Sequence, residues 1–179
     1  MASVVFLRGI NVGGANLCKP AQLAKKLNKL DIVNIGAVGT FVVRAKVAQS
    51  ALRKKLAAQL KKDFGVKCEI MIVPAKSIVD LVKKNPFARH PSGPELTRFV
   101  SVLHQTSNIK PQTFKLPLCL PSKTDWLLKI VSIQNRFVLG VYKRQMKAIG
   151  YLGKIEKILG VPGTIRSWNT IQRVAELLR

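Results

Sequence analysis

The order of predicted secondary-structure elements in the N-terminal half constrains the fold most strongly. Four short apolar runs, rich in β-branched residues, predict strands over residues 3–7, 32–35, 40–43 and 66–73. Two leucine stripes at helical spacing predict amphipathic helices, namely Leu23, Leu27 and Leu30, then Leu52, Leu56 and Leu60. The resulting order of strand, helix, strand, strand, helix and strand is typical of a ferredoxin-like unit, so we predict an α+β fold.

Helix-starting and helix-ending residues predict where these helices begin and end. Pro20 suits a first helical turn, which tolerates a missing N–H group, and Gly65 suits a left-handed C-terminal cap. Ser77 is expected to cap a short third helix, which Asn85 and Pro86 should end. The helices predicted for this half are therefore clearly bounded.

The second half predicts a repeat of the same topology. A linker at 86–96 leads into a strand at 98–104, and three prolines exclude a regular helix over 110–122. The remaining elements are a hairpin over 126–142 that turns at Asn135, a helix with Ile149, Leu152, Ile155 and Leu159 that ends at Gly160, a strand over 164–166, and a closing helix with Ile171 and Val174. We therefore predict two ferredoxin-like (α-β plait) subdomains in tandem, at 1–75 and 76–179.

Charge is the most unusual property of the composition. The chain has 31 lysine and arginine residues against 8 aspartate and glutamate residues, which gives a formal net charge of +23. A surplus of this size raises the electrostatic potential over the whole surface and attracts polyanions such as nucleic acid, anionic lipid or acidic protein. The alternative interpretation is that the lysines only solvate the outer faces of helices.

Cysteine spacing and hydropathy limit the compartment and the kinds of site. Cys18, Cys68 and Cys119 form no CxxC pair, so we expect free thiols and neither a metal site nor a redox dithiol. An odd number of cysteines suits a reducing compartment, and we expect a cytoplasmic protein without a cofactor. Lys129 and Arg136 interrupt the most apolar stretch, so no membrane span is predicted.

A glycine-rich loop after the first strand is one candidate binding site. Its candidate residues are Arg8, Gly9, Asn11, Gly13 and Gly14. Backbone N–H groups in such a loop can face an anion, and Arg8 can add positive charge. The spacing matches neither the dinucleotide-binding pattern nor the P-loop pattern. The alternative interpretation is that the glycines supply the positive φ angles of a tight crossover turn and that Asn11 bonds to its own backbone.

A second candidate site lies near the C-terminus, at Arg166, Trp168 and Asn169. An arginine can clamp a phosphate, and a tryptophan ring can stack on a base or sugar. The alternative interpretation is that Trp168 anchors the packing and that Ser167 or Asn169 caps a helix.

Two aromatic residues suggest a further, weaker hypothesis. Phe6 and Phe41 lie on strands equivalent to those that carry base-stacking aromatics in ribonucleoprotein-type plaits. The alternative interpretation is that both rings belong to the core, where phenylalanine ordinarily lies.

Three segments are similar to those of a known family. They are Leu7-Arg8-Gly9-Ile10-Asn11-Val12-Gly13-Gly14, Asn85-Pro86-Phe87 and Thr164-Ile165-Arg166-Ser167-Trp168-Asn169-Thr170. On these segments the chain resembles, over nearly its full length, the bacterial family catalogued as domain of unknown function 1697. The resemblance implies two α-β plait subdomains and supplies no reaction.

The chain departs from the family pattern in two places. Relatives tend to carry Ser-Gly-Asn where this chain has Val38-Gly39-Thr40, and Asn where it has Ser167. If those polar side chains serve a site in the family, the resemblance implies that the site is altered here.

Catalytic motifs are absent from the sequence. His90 lies in the proline-rich linker and His104 in or near a strand, and neither has the spacing of a metal ligand. The acidic residues are scattered, with no pair spaced to act together, and no serine occupies a nucleophile elbow. Whether the chain is an enzyme stays open, since catalytic groups can converge from distant positions.

Three functional hypotheses follow from the sequence. The leading one is a non-catalytic protein whose basic helical faces bind nucleic acid or another polyanion through phosphate contacts. The second is a small-molecule or nucleotide-binding enzyme in which Gly9–Gly14 and Arg166–Asn169 converge at one subdomain junction. The third is an interaction module without a ligand. The oligomeric state is not predicted.

Overall fold

The computed structural model describes residues 1–14, 16–90, 93–104 and 115–179. The chain separates into two compact units, of which unit 1 comprises residues 1–84 and 170–179 and unit 2 comprises residues 85–169. The sequence places the boundary after residue 75, whereas the structure places it after Lys84. The third helix, Ala75–Lys83, belongs to unit 1 because it contacts two strands of the first sheet.

Unit 1 contains one antiparallel sheet and three helices that precede the boundary. Its elements are β1 (Ser3–Arg8), α1 (Pro20–Lys26), a 3-10 turn (Asn28–Leu30), β2 (Ile32–Ile35), β3 (Thr40–Val43), α2 (Gln49–Phe64), β4 (Glu69–Pro74) and α3 (Ala75–Lys83). The strands lie in the order β2-β3-β1-β4. The four predicted strands are therefore present, and so is the helix with Leu52, Leu56 and Leu60. The first predicted helix is shorter than its leucine stripe, because α1 ends at Lys26, Leu27 is its C-cap and Leu30 lies in the 3-10 turn.

The local signals for helix ends agree with the structure at two positions and fail at a third. Pro20 is the first residue of α1, and Gly65 ends α2 in the left-handed region, with φ 64°. Ser77 does not cap α3, because the helix already begins at Ala75, after Pro74, and Ser77 lies in its first turn.

Both faces of the first sheet are buried. On one face, Val5, Leu7, Phe41 and Ile72 pack with Leu23 of α1 and with Leu52, Leu56 and Leu60 of α2. Val4, Phe6, Val42 and Met71, which point to the other face, are also fully buried. The base-stacking hypothesis for Phe6 and Phe41 is therefore wrong, because both rings are core residues.

Unit 2 repeats this strand order and adds one edge strand. Its elements are β5 (Leu96–Leu103), β6 (Leu118–Leu120), β7 (Leu128–Gln134), β8 (Phe137–Lys143), α4 (Met146–Leu152), α5 (Lys154–Leu159) and β9 (Gly163–Ser167), followed by α6 (Trp168–Glu176). The antiparallel sheet has the order β6-β7-β8-β5-β9, so without β6 it matches the first sheet strand for strand. Beyond its first two residues, α6 groups with unit 1.

Two predictions for unit 2 need correction. The single helix predicted over Ile149 and Leu159 is divided into α4 and α5 at Gly153, and Ile149 is 55% exposed while Ala148 takes the buried position. In the proline-rich segment, residues 110–114 lie outside the described residues, and β6 forms within the remainder. The hairpin turn at Asn135, with φ 51°, and the left-handed cap at Gly160 are confirmed.

The length and hydropathy of the helices can be compared with what a membrane span requires. Among the described residues, no helix is both long enough and apolar enough to cross a bilayer.

Close packing around Gly140 in unit 2 predicts that a single methyl group added there lowers the stability of the protein. Gly140 on β8 pairs with Phe99 on β5, and a Cβ at residue 140 would overlap the Phe99 ring and lie 2.6 Å from the Lys129 carbonyl oxygen. Gly140→Ala should therefore lower the free energy of unfolding by about 1–3 kcal/mol, the usual cost of overpacking a core.

The matched control is Gly150→Ala in α4, where a Cβ would meet no atom within 4 Å. Alanine is favoured over glycine inside a helix by about 0.5–1 kcal/mol, so this variant should be slightly stabilised. Both tryptophans, Trp126 and Trp168, lie in unit 2, so urea unfolding followed by tryptophan fluorescence reports on the relevant unit. Equal effects of the two substitutions would contradict the packing argument.

Candidate anion-binding sites

The glycine-rich loop of unit 1 connects β1 to α1 with repeated left-handed backbone. Gly9, Asn11, Gly13 and Gly14 have φ angles of 71°, 54°, 59° and 78°. Glycine adopts such angles without steric cost, and asparagine tolerates them better than most residues. The glycine and asparagine residues of the loop therefore suit the positive φ angles that its backbone adopts.

Asn11 holds this loop together through its side chain. Its Nδ2 donates to the carbonyl oxygens of Cys18 and Ala37, at 2.9 and 2.8 Å, and its Oδ1 accepts from the N–H of Cys18 at 2.8 Å. Asn16 Nδ2 donates to the Gly9 carbonyl oxygen at 3.0 Å. Asn11 thus has a structural role, but its side chain bonds to the backbone of Cys18 and Ala37, whereas the sequence-based alternative has it bonding to its own backbone.

The departure from the family pattern at residues 38–40 lies beside this loop, in the turn between β2 and β3. The N–H of Leu7 donates to the Gly39 carbonyl oxygen at 2.8 Å, and a Cβ at Gly39 would lie 2.7 Å from Ile10. Val38 is 44% exposed and Thr40 is fully buried. This turn therefore packs closely against β1 and the start of the loop.

Arg8 lies at the end of β1, opposite Glu69 on β4. Its Nη1 is 3.4 Å from Glu69 Oε2, and both side chains are more than a third exposed. An ion pair this exposed contributes little to stability. A ligand-binding role for Arg8, Gly9, Asn11, Gly13 and Gly14 stays a prediction.

Arg166 and Trp168 lie inside unit 2, each only 5% exposed. Arg166 Nη1 donates to Thr164 Oγ1 and to the Ile165 carbonyl oxygen, both at 2.8 Å. Burial lowers the pKa of Arg166 to about 10, which still leaves it a cation at neutral pH. The Trp168 ring packs edge-on against Phe87, with centroids 5.0 Å apart.

Phe87 is the centre of an aromatic and cationic cluster. It is fully buried although it lies in the predicted linker at 86–96. The Arg98 guanidinium carbon lies 5.6 Å from the Phe87 ring centroid, and Arg98 Nη2 donates to the His90 carbonyl oxygen at 3.0 Å. Burial, and then the charges of Arg98 and Lys129, lower the pKa of His90.

Asn169 is exposed, unlike the other two candidate residues, Arg166 and Trp168. With Ser167 it lines a cavity of about 240 Å³ in unit 2, which Arg98 and Arg144 also line. Sequence analysis missed both arginines. Arg98 carried a signal, because it is the only charged residue in the apolar strand LTRFVSVL, whereas Arg144 directly after β8 carried none.

The two predicted site segments belong to different units. Residues 8–14 lie in unit 1, and Arg166, Trp168 and Asn169 lie in unit 2. Their convergence at one junction stays a prediction.

A second concentration of cations lies on the helices of unit 1. Helices α1 and α2 contact one another, and a groove of about 550 Å³ there is lined by Gln22, Lys25, Lys26, Lys62, Asp63 and Phe64, which we call the lysine groove. Lys54, Lys55 and Lys61 are also exposed on α2. Gln59 Nε2 donates to the Asp63 carboxylate at 2.6 Å. Among the described residues, no ion pair engages Lys25, Lys26 or Lys62.

Groups that catalysis or metal binding would use are sparse. Within the described ranges no cluster of three histidine, cysteine or acidic residues is placed to hold a metal ion. Cys18, Cys68 and Cys119 are unpaired. Burial raises the pKa of the Cys18 thiol, and it is the main cause that raises the pKa of Cys68 to about 11, so both are protonated at neutral pH. Neither thiol is activated as a nucleophile.

Comparison with known families decides the relationship that the motifs indicated. The model of the family described as "Protein of unknown function (DUF1697)" matches residues 1–115. The chain belongs to this family. The matched range includes the segments at 7–14 and 85–87, while the segment at 164–170 lies beyond it.

A solved structure supports the same relationship at the level of fold. The DUF1697 chain is similar to the conserved bacterial protein SP0830 from Streptococcus pneumoniae, with a TM-score of 0.60 and 16% sequence identity. The similarity covers 99% of this chain and 98% of the other. No curated protein shows a significant match. At this identity the comparison shows a shared mixed α/β fold alone.

The loop of this DUF1697 protein gives a prediction about Asn11. Asn11→Ala should lower the free energy of unfolding by about 2–4 kcal/mol, because three hydrogen bonds worth roughly 1 kcal/mol each are lost at a position with positive φ. Asn11→Gly loses the same bonds but accepts the backbone angle, so its effect should be smaller. Unit 1 contains no tryptophan, so amide hydrogen exchange in β1 and β3 is the measurement. Unchanged exchange in Asn11→Ala would show that the side chain does not stabilise the loop.

Proposed function

We propose that this protein binds nucleic acid electrostatically, through the backbone phosphates, at the lysine groove of unit 1. The observation that carries the proposal is the convergence of Lys25 and Lys26 from α1 with Lys62 from α2 around one groove. A phosphate backbone presents closely spaced negative charges, so it binds most tightly where several cations lie on one surface.

The charge balance of the groove supports binding of an anion. Asp63 is the only carboxylate among the lining residues, and the hydrogen bond from Gln59 keeps it occupied. The lysine side chains are exposed and pair with no carboxylate in the described part of the chain. The formal net charge of +23 adds long-range attraction that speeds the encounter with a polyanion.

The contacts would be made to phosphate and not to bases. Lysine donates as a flexible point charge and recognises phosphate without reading sequence. Phe6 and Phe41, the aromatic residues that sequence analysis considered for base stacking, are fully buried. Binding should therefore be strongly dependent on salt and weakly dependent on sequence.

We also propose that each unit is a ferredoxin-like plait and that the protein works in the cytoplasm. The sheet orders β2-β3-β1-β4 and β7-β8-β5-β9 support the plait. In each unit the first strand lies inside the sheet, between two strands that come later in the chain: β1 between β3 and β4, and β5 between β8 and β9. Three unpaired cysteines are compatible with a reducing compartment.

The test compares two pairs of adjacent lysines at helix C-termini. Lys25 and Lys26 end α1, whereas Lys83 and Lys84 end α3, which contacts β1 and β4 and does not line the groove. Binding of a fluorescent DNA duplex of about 20 base pairs is measured by anisotropy between about 50 and 200 mM salt. Each lost phosphate contact reduces the slope of log K against log salt by about 0.9. The magnitude of this slope should therefore be smaller by about 1.8 in the Lys25→Gln/Lys26→Gln variant than in the unmodified protein. In the Lys83→Gln/Lys84→Gln variant the slope should change much less.

Two results would overturn the proposal. One is a slope near zero for the unmodified protein, since binding through phosphates must release counterions. The other is an equal loss in both double variants, which would mean that the net charge acts without a defined surface. If the lysines serve only to complement the negative ends of the helix dipoles, the variants should change stability and leave DNA binding as it was.

A further inference from the structure

The cavity of unit 2 lies at one end of its sheet. Strand β5 pairs antiparallel with β8 on one side and with β9 on the other, so the last residues of both neighbours flank its first residues. The pairing places Leu96 opposite Lys143 and Phe99 opposite Ser167. The cavity, of about 240 Å³, is lined by Gly93, Leu96, Thr97, Arg98, Arg144, Ser167 and Asn169. Three segments that are distant in sequence therefore supply its polar groups.

Arg98 supplies a fixed cation that lines the cavity. Its guanidinium is held by the Phe87 ring and by the hydrogen bond to the His90 carbonyl oxygen. Its Nε is buried, and within the described residues it has no hydrogen-bond partner. This Nε exposes almost no surface, so an anion in the cavity would have to be bound by the other guanidinium N–H groups of Arg98.

Arg144 supplies a second cation at the rim of the cavity. Its Nε donates to Thr97 Oγ1 at 3.1 Å, and its backbone N–H donates to the Glu95 carbonyl oxygen at 2.8 Å. These two contacts hold the residue against β5 although it is exposed. Two arginines at one cavity suit a tetrahedral anion, because each guanidinium offers several donors in a plane.

The start of α6 adds to the preference for an anion. Ser167 and Asn169 flank Trp168, the first residue of a nine-residue helix. N–H groups at a helix start and the positive end of the helix dipole both favour negative charge. The preference of the cavity therefore comes from side chains and backbone together.

One carboxylate lies near enough to compete. A Cβ at Gly93 would lie 2.6 Å from the Glu95 carboxylate oxygens, so that carboxylate lies beside the cavity wall. The lining residues themselves include two arginines and no acidic side chain. An anion entering the cavity would thus be attracted by the lining and repelled by Glu95.

We propose that this cavity binds a single phosphoryl group, as inorganic phosphate or as the phosphate of a small phosphomonoester. Its volume is about 240 Å³, which accommodates one phosphoryl group, and two arginines line it. The site uses arginines of unit 2, whereas the proposed nucleic-acid surface uses lysines of unit 1. The two proposals are independent.

The test is isothermal titration calorimetry of the full chain with inorganic phosphate and, separately, with glycerol phosphate. An ionic strength of about 0.15 M limits binding to scattered surface charges. Arg144→Gln removes an exposed side chain and should leave the fold intact, while a lost charge-assisted contact should weaken phosphate binding about 10-fold or more. Glu95→Gln removes the competing carboxylate and should tighten binding several-fold.

The control is Arg89→Gln, which removes an exposed arginine of the same unit that does not line the cavity. It should bind phosphate as the unmodified protein does, and so should Lys25→Gln/Lys26→Gln. Arg98→Lys keeps the charge but loses the planar donors, so it should also weaken binding. Tighter binding of glycerol phosphate would identify an ester as the ligand, and tighter binding of inorganic phosphate would identify the free ion. No saturable binding up to about 10 mM, or equal affinities for Arg144→Gln and Arg89→Gln, would overturn the proposal.

Discussion

Burial of β1 and β5, an inner strand of each sheet, on both faces is the constraint on which the rest of this structure depends. Val4 and Val5 are adjacent on β1 and point to opposite faces, and both are fully buried. Phe99 and Val100 show the same burial on β5. Neither of these inner strands therefore offers an open face along its middle. Among the described residues, most of the cations lie on helix surfaces, in loops and at or near strand ends, and both proposed binding sites are in such places.

The sequence predicted those features that depend on a residue and its immediate neighbours. Gly65, Asn135 and Gly160 each adopt positive φ where a helix or hairpin ends, and the residue type alone indicates this. The strands of unit 1 were predictable because β-branched runs are interrupted by glycine or charge. Membership of the DUF1697 family was predictable for a similar reason, since its motif at 7–14 follows directly from one strand.

Features that depend on distant partners were not predictable. Phe87 lies in a stretch rich in proline and glycine, and its contacts with Trp168 and Arg98, which are distant in sequence, accompany its full burial. The leucine and isoleucine spacing across Gly153 fits one helix, yet the chain forms two helices there and buries Ala148 in place of Ile149. The same limit applies to the candidate phosphate site, because Arg98 and Arg144 approach one another only through the register of β5 with β8.

The two groups of cations differ in the physics by which they would hold an anion. Lys25, Lys26 and Lys62 are exposed and mobile, so their attraction is screened by salt and needs several phosphates at once to become strong. Arg98 is instead partly buried and fixed against Phe87 and the His90 carbonyl oxygen, so a single anion would meet a cation already held in place. A repeated fold can thus carry two different anion sites. In unit 1 the helices present the charge, whereas in unit 2 strand ends and a helix start enclose it.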